Sequence, residues 1–425
     1  MKKTICVVGL GYIGLPTAVM FANHGHPVHG VDVNEIVVGK LKDKRLHIEE
    51  NGLQERLDAA IDSGTFTVST KPIKADVFII AVPSPIREDK TANLEYIQDA
   101  TKSITPFLKI GSLVILESTV PPRTVEDVVI PELVKSGLKI GDEVFVSHSP
   151  ERVIPGKALT EMVTNDRIIG GITPESSRMT SELYKSFVTG AMHETDATTA
   201  ELVKVMENTY RDVNIALANE LAKISSNIGV NVWEAIKLAN FHPRVNIHLP
   251  GPGVGGHCIA VDPWFLVELA PEDAKIIQLA RNTNDGMPTY TAEMTRNILS
   301  AKGIKEPSVA VFGLAFKGNI DDMRESPSVD VVQQLKNCGL RLNVFDPHIK
   351  QNNLPDQTQS QEEALTGASA IVILTNHDEF MEIDPIEAGK LMKDKIIIDT
   401  KNCINREKWE SAGFAVYVLG DSIEK

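Results

Sequence analysis

Apolar residues in the first part of the chain fall into short, nearly unbroken runs separated by stretches with helical spacing. Residues 4–8 form such a run ending at glycine, residues 15–22 repeat apolar positions at helical spacing, and residues 27–31 return to a run. That succession predicts a β-α-β unit. Residues 77–82, 113–116 and 144–146 are further buried-strand candidates, each separated by enough chain for a helical crossover. The fold class predicted is α/β with a doubly wound sheet. From about 198 to 228 the pattern changes, and Leu202, Met206, Val213, Leu217, Leu221 and Ile224 are spaced to line one face of a long helix. After Asn284, the residues Asp285, Gly286 and Pro288 predict an irregular stretch or a kinked helix. A second strand and helix alternation begins near 308, with strands expected at 309–313, 342–345, 370–374 and 396–399. Two α/β domains thus flank a helical one. They echo each other in architecture, with no residue-level repeat expected between them.

Size and charge narrow the function. At 425 residues the chain exceeds one ordinary core, and 42% hydrophobic with 24% charged residues is the composition of a water-soluble globular protein. No stretch reaches the ~20 apolar residues of a membrane span. Lys2 and Lys3 precede a short apolar run, but Gly9, Gly11 and Gly14 interrupt it before a signal-peptide core forms, so the terminus is expected to be the first buried strand of a cytoplasmic protein. A formal charge of −14 opposes a nucleic-acid partner. Cys6, Cys258, Cys338 and Cys403 lie far apart with no zinc-binding spacing, so neither disulfides nor a metal are expected.

Candidate chemistry begins at Gly9, Gly11 and Gly14, a GxGxxG directly after the first strand, with Asp32 ending the second. One glycine permits the tight turn, another admits the pyrophosphate, the third lets the helix pack closely, and the acid accepts from a ribose. An acid there repels a 2′-phosphate, so NAD is expected rather than NADP. Farther on, the glycine-rich stretch 251–256 delivers Cys258 beside His257, with Asp262 following. Four glycines there fit a backbone that approaches a ligand, with the thiol at the loop's end entering a cleft. Lys204 and Asn208 stand one turn apart on the long helix, a spacing that equally describes a solvated polar face. Thr119 in ESTVPP (117–122) and Glu151 in SPERVIPG (149–156) sit in proline-marked turns after predicted strands, where α/β sheets bind ligands and where ordinary surface turns also occur.

Together these motifs resemble the UDP-glucose/GDP-mannose dehydrogenase family, and the likeness spans essentially the whole chain. It is carried by GLGYIGLP (9–16), ESTVPP, SPERVIPG, the Lys204/Asn208 helix, GPGVGGHCIAVDPWF (251–265), ARNTND (280–285) and GLAFKGNIDDMRESPS (313–328). The resemblance implies an NAD-binding Rossmann domain at 1–196, a central helical dimerisation domain at 197–300 and a Rossmann-like UDP-binding domain at 301–425. It implies Cys258 as covalent nucleophile, Lys204 and Asn208 as oxyanion stabilisers, Asp262 and Thr119 as the pair orienting water, and Glu151 in acid/base work on a thioester. Tyr12, Ile13, Pro83 and Thr119 join the glycines and Asp32 around NAD. Arg152, Val153, Gly255, Lys317, Arg324 and Lys401 join Glu151, Lys204 and Asn208 around the UDP-sugar, and Arg244 reaches it from the other subunit of a homodimer or higher oligomer.

The family contains enzymes for several sugars. Pro155 and Val261 stand where UDP-glucose enzymes usually carry a glutamate and a lysine, and PERVIPG and HCIAVDPWF resemble the UDP-N-acetylmannosamine branch. The expectation is four-electron oxidation at C6 of UDP-N-acetyl-D-mannosamine, for polysaccharide or glycan synthesis, with UDP-N-acetylglucosamine and then UDP-glucose as alternatives. A single-step hydroxyacid dehydrogenase and a non-catalytic nucleotide-sugar-binding regulator are the rival classes.

Overall fold

The computed structural model describes residues 2–154, 156–256, 258–350 and 354–421. Pro155 and His257, both part of the sequence argument, lie outside the described residues. The chain divides into two compact units, Met1–Glu207 with Trp264–Pro271, and Asn208–Pro263 with Glu272–Lys425.

The first unit is built on eight strands: β1 (Ile5–Val8), β2 (Val28–Val31), β3 (Phe66–Ser69), β4 (Val77–Ile80), β5 (Ser112–Leu116), β6 (Val144–His148), β7 (Arg167–Gly171) and β8 (Met192–Asp196). They lie in the order β3-β2-β1-β4-β5-β6-β7-β8. Every pairing is parallel except β6 with β7. Unbroken apolar runs make sense here because both faces of the sheet are covered. Ile5 and Val7 enter one core with Ile79, Ile115, Leu15 and Phe21, while Cys6 and Val8 enter the other with Phe78, Ile80 and Val114. Each such enclosed aliphatic side chain contributes about 1.5–3 kcal/mol.

Of the strands missing from the sequence reading, two have weak patterns. β8 reads MHETD and is largely exposed, and β7 opens on an arginine and closes on two glycines.

The predicted long helix is present as Ala197–Ile228. Its burial is the reverse of an ordinary amphipathic helix. Glu201, Lys204, Asn208, Asp212 and Asn219 are buried, whereas Leu202, Met206, Tyr210, Leu217, Ile224 and Ile228 are 39–68% exposed. The Lys204/Asn208 face is therefore not the solvated one. Near 286 the kinked-helix alternative holds: helices Lys275–Asp285 and Met287–Ala301 adjoin at Gly286, with proline in the first turn of the second.

The second unit carries β9 (Ser308–Phe312), β10 (Arg341–Phe345), β11 (Ala370–Ile373), β12 (Ile396–Asp399) and β13 (Ala415–Val418). All are parallel, in the order β10-β9-β11-β12-β13. Superficially the two sheets share only topology, but a residue-level repeat does exist. After β1 the chain reads GLGYIG from Gly9, and after β9 it reads GLAFKG from Gly313. Gly9 and Gly313 both take left-handed backbone, φ +92° and +100°. Asp32 accepts from the Leu10 N–H at 3.1 Å, and Asp346, at the end of β10, accepts from the Leu314 N–H at 2.6 Å. Only three of six residues coincide, which hid the repeat. The copies then diverge, because Asp346 is buried and also accepts from His377 at 3.1 Å. It is not open to a ribose as Asp32 is.

Candidate active site

In the first unit the carboxyl ends of β1 and β4 form the topological switch point, where α/β sheets bind ligands. A side chain on Gly9 would strike the Ala81 carbonyl, and one on Gly14 would overlap the Gly9 carbonyl. Those two glycines are demanded by the protein's own packing. Gly11 meets no atom within 4 Å, so its openness faces outward. The helix Gly14–Asn23 starts with no side-chain cap and no acid in its first turn, leaving its first N–H groups for an anion. Asp32 is locked by the Leu10 N–H on one oxygen and the Asn34 N–H, 2.9 Å, on the other. Tyr12 and Pro83 are exposed beside Ile13 on the same rim. The Ser118 hydroxyl donates to the Val82 carbonyl at 2.7 Å and the Ser84 hydroxyl to that of Thr119, tying the turns that carry Pro83 and Thr119 together. This set fits a dinucleotide with an unphosphorylated ribose.

Glu151 follows β6, and its side chain is only 7% exposed. It accepts from both terminal nitrogens of Arg167, at 3.0 and 2.6 Å. Arg152 has committed its guanidinium to Glu207, 2.8 Å, and to the Asp166 carbonyl, while Val153 packs against the core. The Arg152 guanidinium is thus held by an internal tie. Lys204 is buried, and His148 lies near enough to feel its charge. Burial above all, with that charge, holds the His148 imidazole neutral, down at about 3.

In the second unit Cys258, Asp262 and Asn208 come together. The Cys258 carbonyl accepts from the Asp262 N–H at 2.9 Å, closing the turn that starts the helix Asp262–Leu269. The Asn208 amide donates to the Asp262 carboxylate at 2.6 Å, with both residues buried. Cys258 itself is exposed. The glycines before it also serve the protein's own packing. Side chains at Gly253 and Gly255 would strike Pro327, and one at Gly256 would crowd Phe316. The backbone approach they permit is to the protein's own GLAFKG segment and the turn at Glu325, where the Gly256 N–H donates to the Glu325 carbonyl.

The start of this loop hangs on a buried polar chain that the sequence reading noted only as ARNTND. The Gly251 N–H donates to Asn219 at 2.9 Å, Asn219 donates to Asn284 at 2.9 Å, and Asn284 donates to Asp212 at 2.8 Å. Arg281 completes the chain with a 2.5 Å ion pair to Asp212. Both side chains are at most 2% exposed, and burial raises the Asp212 carboxyl although Arg281 opposes it.

The remaining substrate candidates are less assembled. Lys317 and Arg244 are exposed. Arg324 holds Asp322 through two hydrogen bonds of 2.9 and 2.7 Å, made by Nε and Nη2. Lys401 lies behind Gly251, its ammonium 3.2 Å from where a side chain there would begin, and burial pulls it below the usual lysine value. A surface groove lined by Ser308, Lys336, Arg341 and Asp356 sits at the opposite, amino ends of β9 and β10 and holds none of the candidates.

Three family models match the chain in succession: the UDP-glucose/GDP-mannose dehydrogenase family NAD binding domain at 3–188, its central domain at 198–286 and its UDP binding domain at 310–406. The chain is 50% identical over 426 residues to the UDP-N-acetyl-D-mannosamine dehydrogenase of Methanococcus maripaludis strain C7, covering 99% of this chain and 97% of that protein. It is 46% identical to the NDP-N-acetyl-D-galactosaminuronic acid dehydrogenase of Ralstonia solanacearum, over 94% of this chain and 96% of that one. The solved structure of the UDP-D-ManNAc dehydrogenase from Pyrococcus horikoshii superposes with a TM-score of 0.92 at 42% identity, covering 98% of this chain and 99% of that one.

Proposed function

This chain belongs to the UDP-glucose/GDP-mannose dehydrogenase family of NAD-dependent nucleotide-sugar dehydrogenases, and from that premise we propose that it oxidises C6 of UDP-N-acetyl-D-mannosamine to the carboxylate. The observation that carries the reading is the linkage of an exposed Cys258 to Asp262 and of Asp262 to Asn208. A merely structural cysteine has no need of a buried amide and carboxylate fixed beside its turn.

NAD bound at the Gly9 loop supplies the hydride acceptor for both oxidations. Loss of the C6 hydride and hydroxyl proton gives an aldehyde. The Cys258 thiolate adds to its carbonyl carbon, forming a thiohemiacetal, and the second hydride and a proton then leave to give a thioester. Water attacks the thioester, the carbon–sulfur bond breaks, and the carboxylate departs while the thiol is regenerated. Lys204 and the Asn208 amide stabilise the oxyanions at C6. Asp262 and Thr119 orient the water, and Glu151 takes its proton. Lys317, Arg324, Lys401, Gly255 and the 151–153 backbone hold the UDP-sugar, with Arg244 completing the site of a partner subunit. Lys401 keeps a positive charge for phosphate without an arginine's fork.

The assignment to the N-acetylmannosamine sugar is supported by PERVIPG, HCIAVDPWF and relatives of that name at about 50% identity. A second reading, an N-acetylhexosamine of galacto configuration, is favoured by the 46% identical relative named for the galactosaminuronic acid. The functional division is 1–196 for NAD, 197–300 for the helical centre and 301–425 for the UDP-sugar. The apolar outer face of the helix Ala197–Ile228 joins two copies into a homodimer. No helix among the described residues is long and apolar enough to cross a membrane, and the enzyme is assigned to the cytoplasm, in polysaccharide biosynthesis. A spectrophotometric NAD-reduction screen over UDP-ManNAc, UDP-GlcNAc, UDP-GalNAc and UDP-glucose tests the proposal. NADH formation greatest with UDP-ManNAc supports it, preference for UDP-GalNAc transfers it to the second reading, and no NADH with any UDP-sugar refutes both.

A further inference from the structure

Arg167 was no part of the motif argument, and it is the most heavily engaged side chain beside Glu151. Its place follows from the one antiparallel pairing in the first sheet. Ser147 and His148 of β6 lie opposite Gly171 and Gly170 of β7. Continuing that register past the end of β6 sets Glu151 opposite Arg167, the first residue of β7. Had β7 entered parallel, like the strands before it, its amino end would lie at the far side of the sheet from the ligand-binding turns.

The guanidinium has every edge occupied. Both terminal nitrogens donate to one oxygen of Glu151, and the other Glu151 oxygen accepts from the Arg152 N–H at 2.9 Å. Arg167 Nε donates to the Ser149 hydroxyl at 3.2 Å, and Nη2 also reaches Glu117 at 3.2 Å. The plane of the group stacks on the Tyr184 ring, 3.8 Å from its centroid. Glu117 is held in turn by the Tyr184 hydroxyl and by the Thr17 hydroxyl at 3.0 Å. Arg167 is 4% exposed and Glu117 not at all. A surface ion pair would leave Glu151 free to rotate. This one fixes the carboxylate at both oxygens with a cation that is itself immobilised on four sides.

We propose that Arg167 is a positioning residue for the dehydrogenase reaction, holding the Glu151 side chain in a single orientation so that it acts as the base on the water that cleaves the thioester. This rests on the reading of Glu151 given above. It extends that reading by naming the clamp, Arg167 with Glu117 and Tyr184 behind it, that holds the base in place. Burial pushes the Glu117 carboxyl, which lies behind the clamp, up to about 7.

The test uses the full-length enzyme with Arg167→Met, Arg167→Lys and Glu151→Gln, measuring kcat, KM for both substrates and the mass of the intact protein during turnover. General-base catalysis contributes ~100-fold or more, so Arg167→Met is expected to lower kcat by about 10- to 100-fold. KM for both UDP-sugar and NAD should stay within about threefold, because no binding contact has been removed. A thioester adduct on Cys258 should accumulate. Arg167→Lys keeps the charge but not the fork, and it should recover part of kcat. A wild-type kcat without adduct in Arg167→Met, with Glu151→Gln inactive, would overturn the role of Arg167 and leave that of Glu151 standing. Full activity in Glu151→Gln would instead remove the underlying reading. Should Arg167→Met fail to fold, Arg167→Lys decides: reduced kcat, an accumulating thioester adduct and unchanged KM support the clamp, and a wild-type kcat without adduct overturns it.

Discussion

Replacing Arg281 with methionine should destabilise the second unit and disable the loop that carries Cys258. Arg281 is 2% exposed and Asp212 fully enclosed, so the substitution leaves a buried carboxylate without its cation. Removing one partner of such a pair costs about 3–5 kcal/mol. Two contacts from the Asn284 amide remain on Asp212, at 3.0 Å to its carbonyl and 2.8 Å to its carboxylate, which places the loss toward about 3 kcal/mol. At roughly 2–4 °C per kcal/mol, the melting transition should fall by about 6–12 °C. Burial already raises the Asp212 carboxyl; without Arg281 it rises further and takes up a proton, so the deficit should shrink as pH is lowered. The same chain of contacts ends at the Gly251 N–H, so kcat measured well below the melting temperature should fall too. Scanning calorimetry on Arg281→Met, Asp212→Asn and the double variant is the assay. The double variant should recover much of the loss, since it no longer buries an unpaired charge. A single variant within about 1 kcal/mol of wild type, or a double variant whose losses simply add, would refute the reasoning.

Asp32→Ala should weaken NAD binding by about tenfold, the worth of ~1.4 kcal/mol, and narrow the gap to NADP; fluorescence titration reads both, and a wild-type preference for NADP contradicts the ribose assignment. Leu217→Arg on the exposed face of the long helix should convert the enzyme to monomers by light scattering, whereas a wild-type protein that is monomeric and fully active removes the dimer proposal. His148 is held neutral down to about 3 in the folded state and titrates at its ordinary value near 6.5 when unfolded. The unfolded chain therefore binds the extra proton between those values, and stability is lost as pH falls through that window, by about 5 kcal/mol at most. His148→Asn should flatten the acid side of the stability profile, and an unchanged acid slope in denaturant titrations would count against it.

The sequence was most legible where function is local. GxGxxG and Asp32 are fixed by one turn and its neighbouring strand, and their spacing carries the geometry. The glycine-rich loop was legible as a close approach but not as to what it approaches, because Phe316 and Pro327 lie far along the chain. The long helix was legible in extent, yet which face is buried depends on tertiary partners for Lys204, Asn208 and Asp212 that no periodicity contains. Arg167 was invisible for a similar reason: only the reversed direction of β7 makes it a neighbour of Glu151. Strands β7 and β8 escaped because their five residues show neither a sustained apolar run nor clean alternation, whereas β3 (FTVS) alternates and β13 (AVYV) is apolar throughout, so those two were legible in the sequence.

The central claim is covalent, four-electron oxidation through Cys258, and the ratio of NADH formed to UDP-sugar consumed tests it most directly. With UDP-N-acetyl-D-mannosamine the wild-type enzyme should yield two NADH per sugar, with the uronate as the only product and no aldehyde released. In Cys258→Ser the serine hydroxyl is a far weaker nucleophile at neutral pH, so turnover to the uronate should stop while the enzyme still binds NAD and UDP-sugar. One NADH per sugar from the wild-type enzyme, or full conversion to the uronate by Cys258→Ser, would contradict the account.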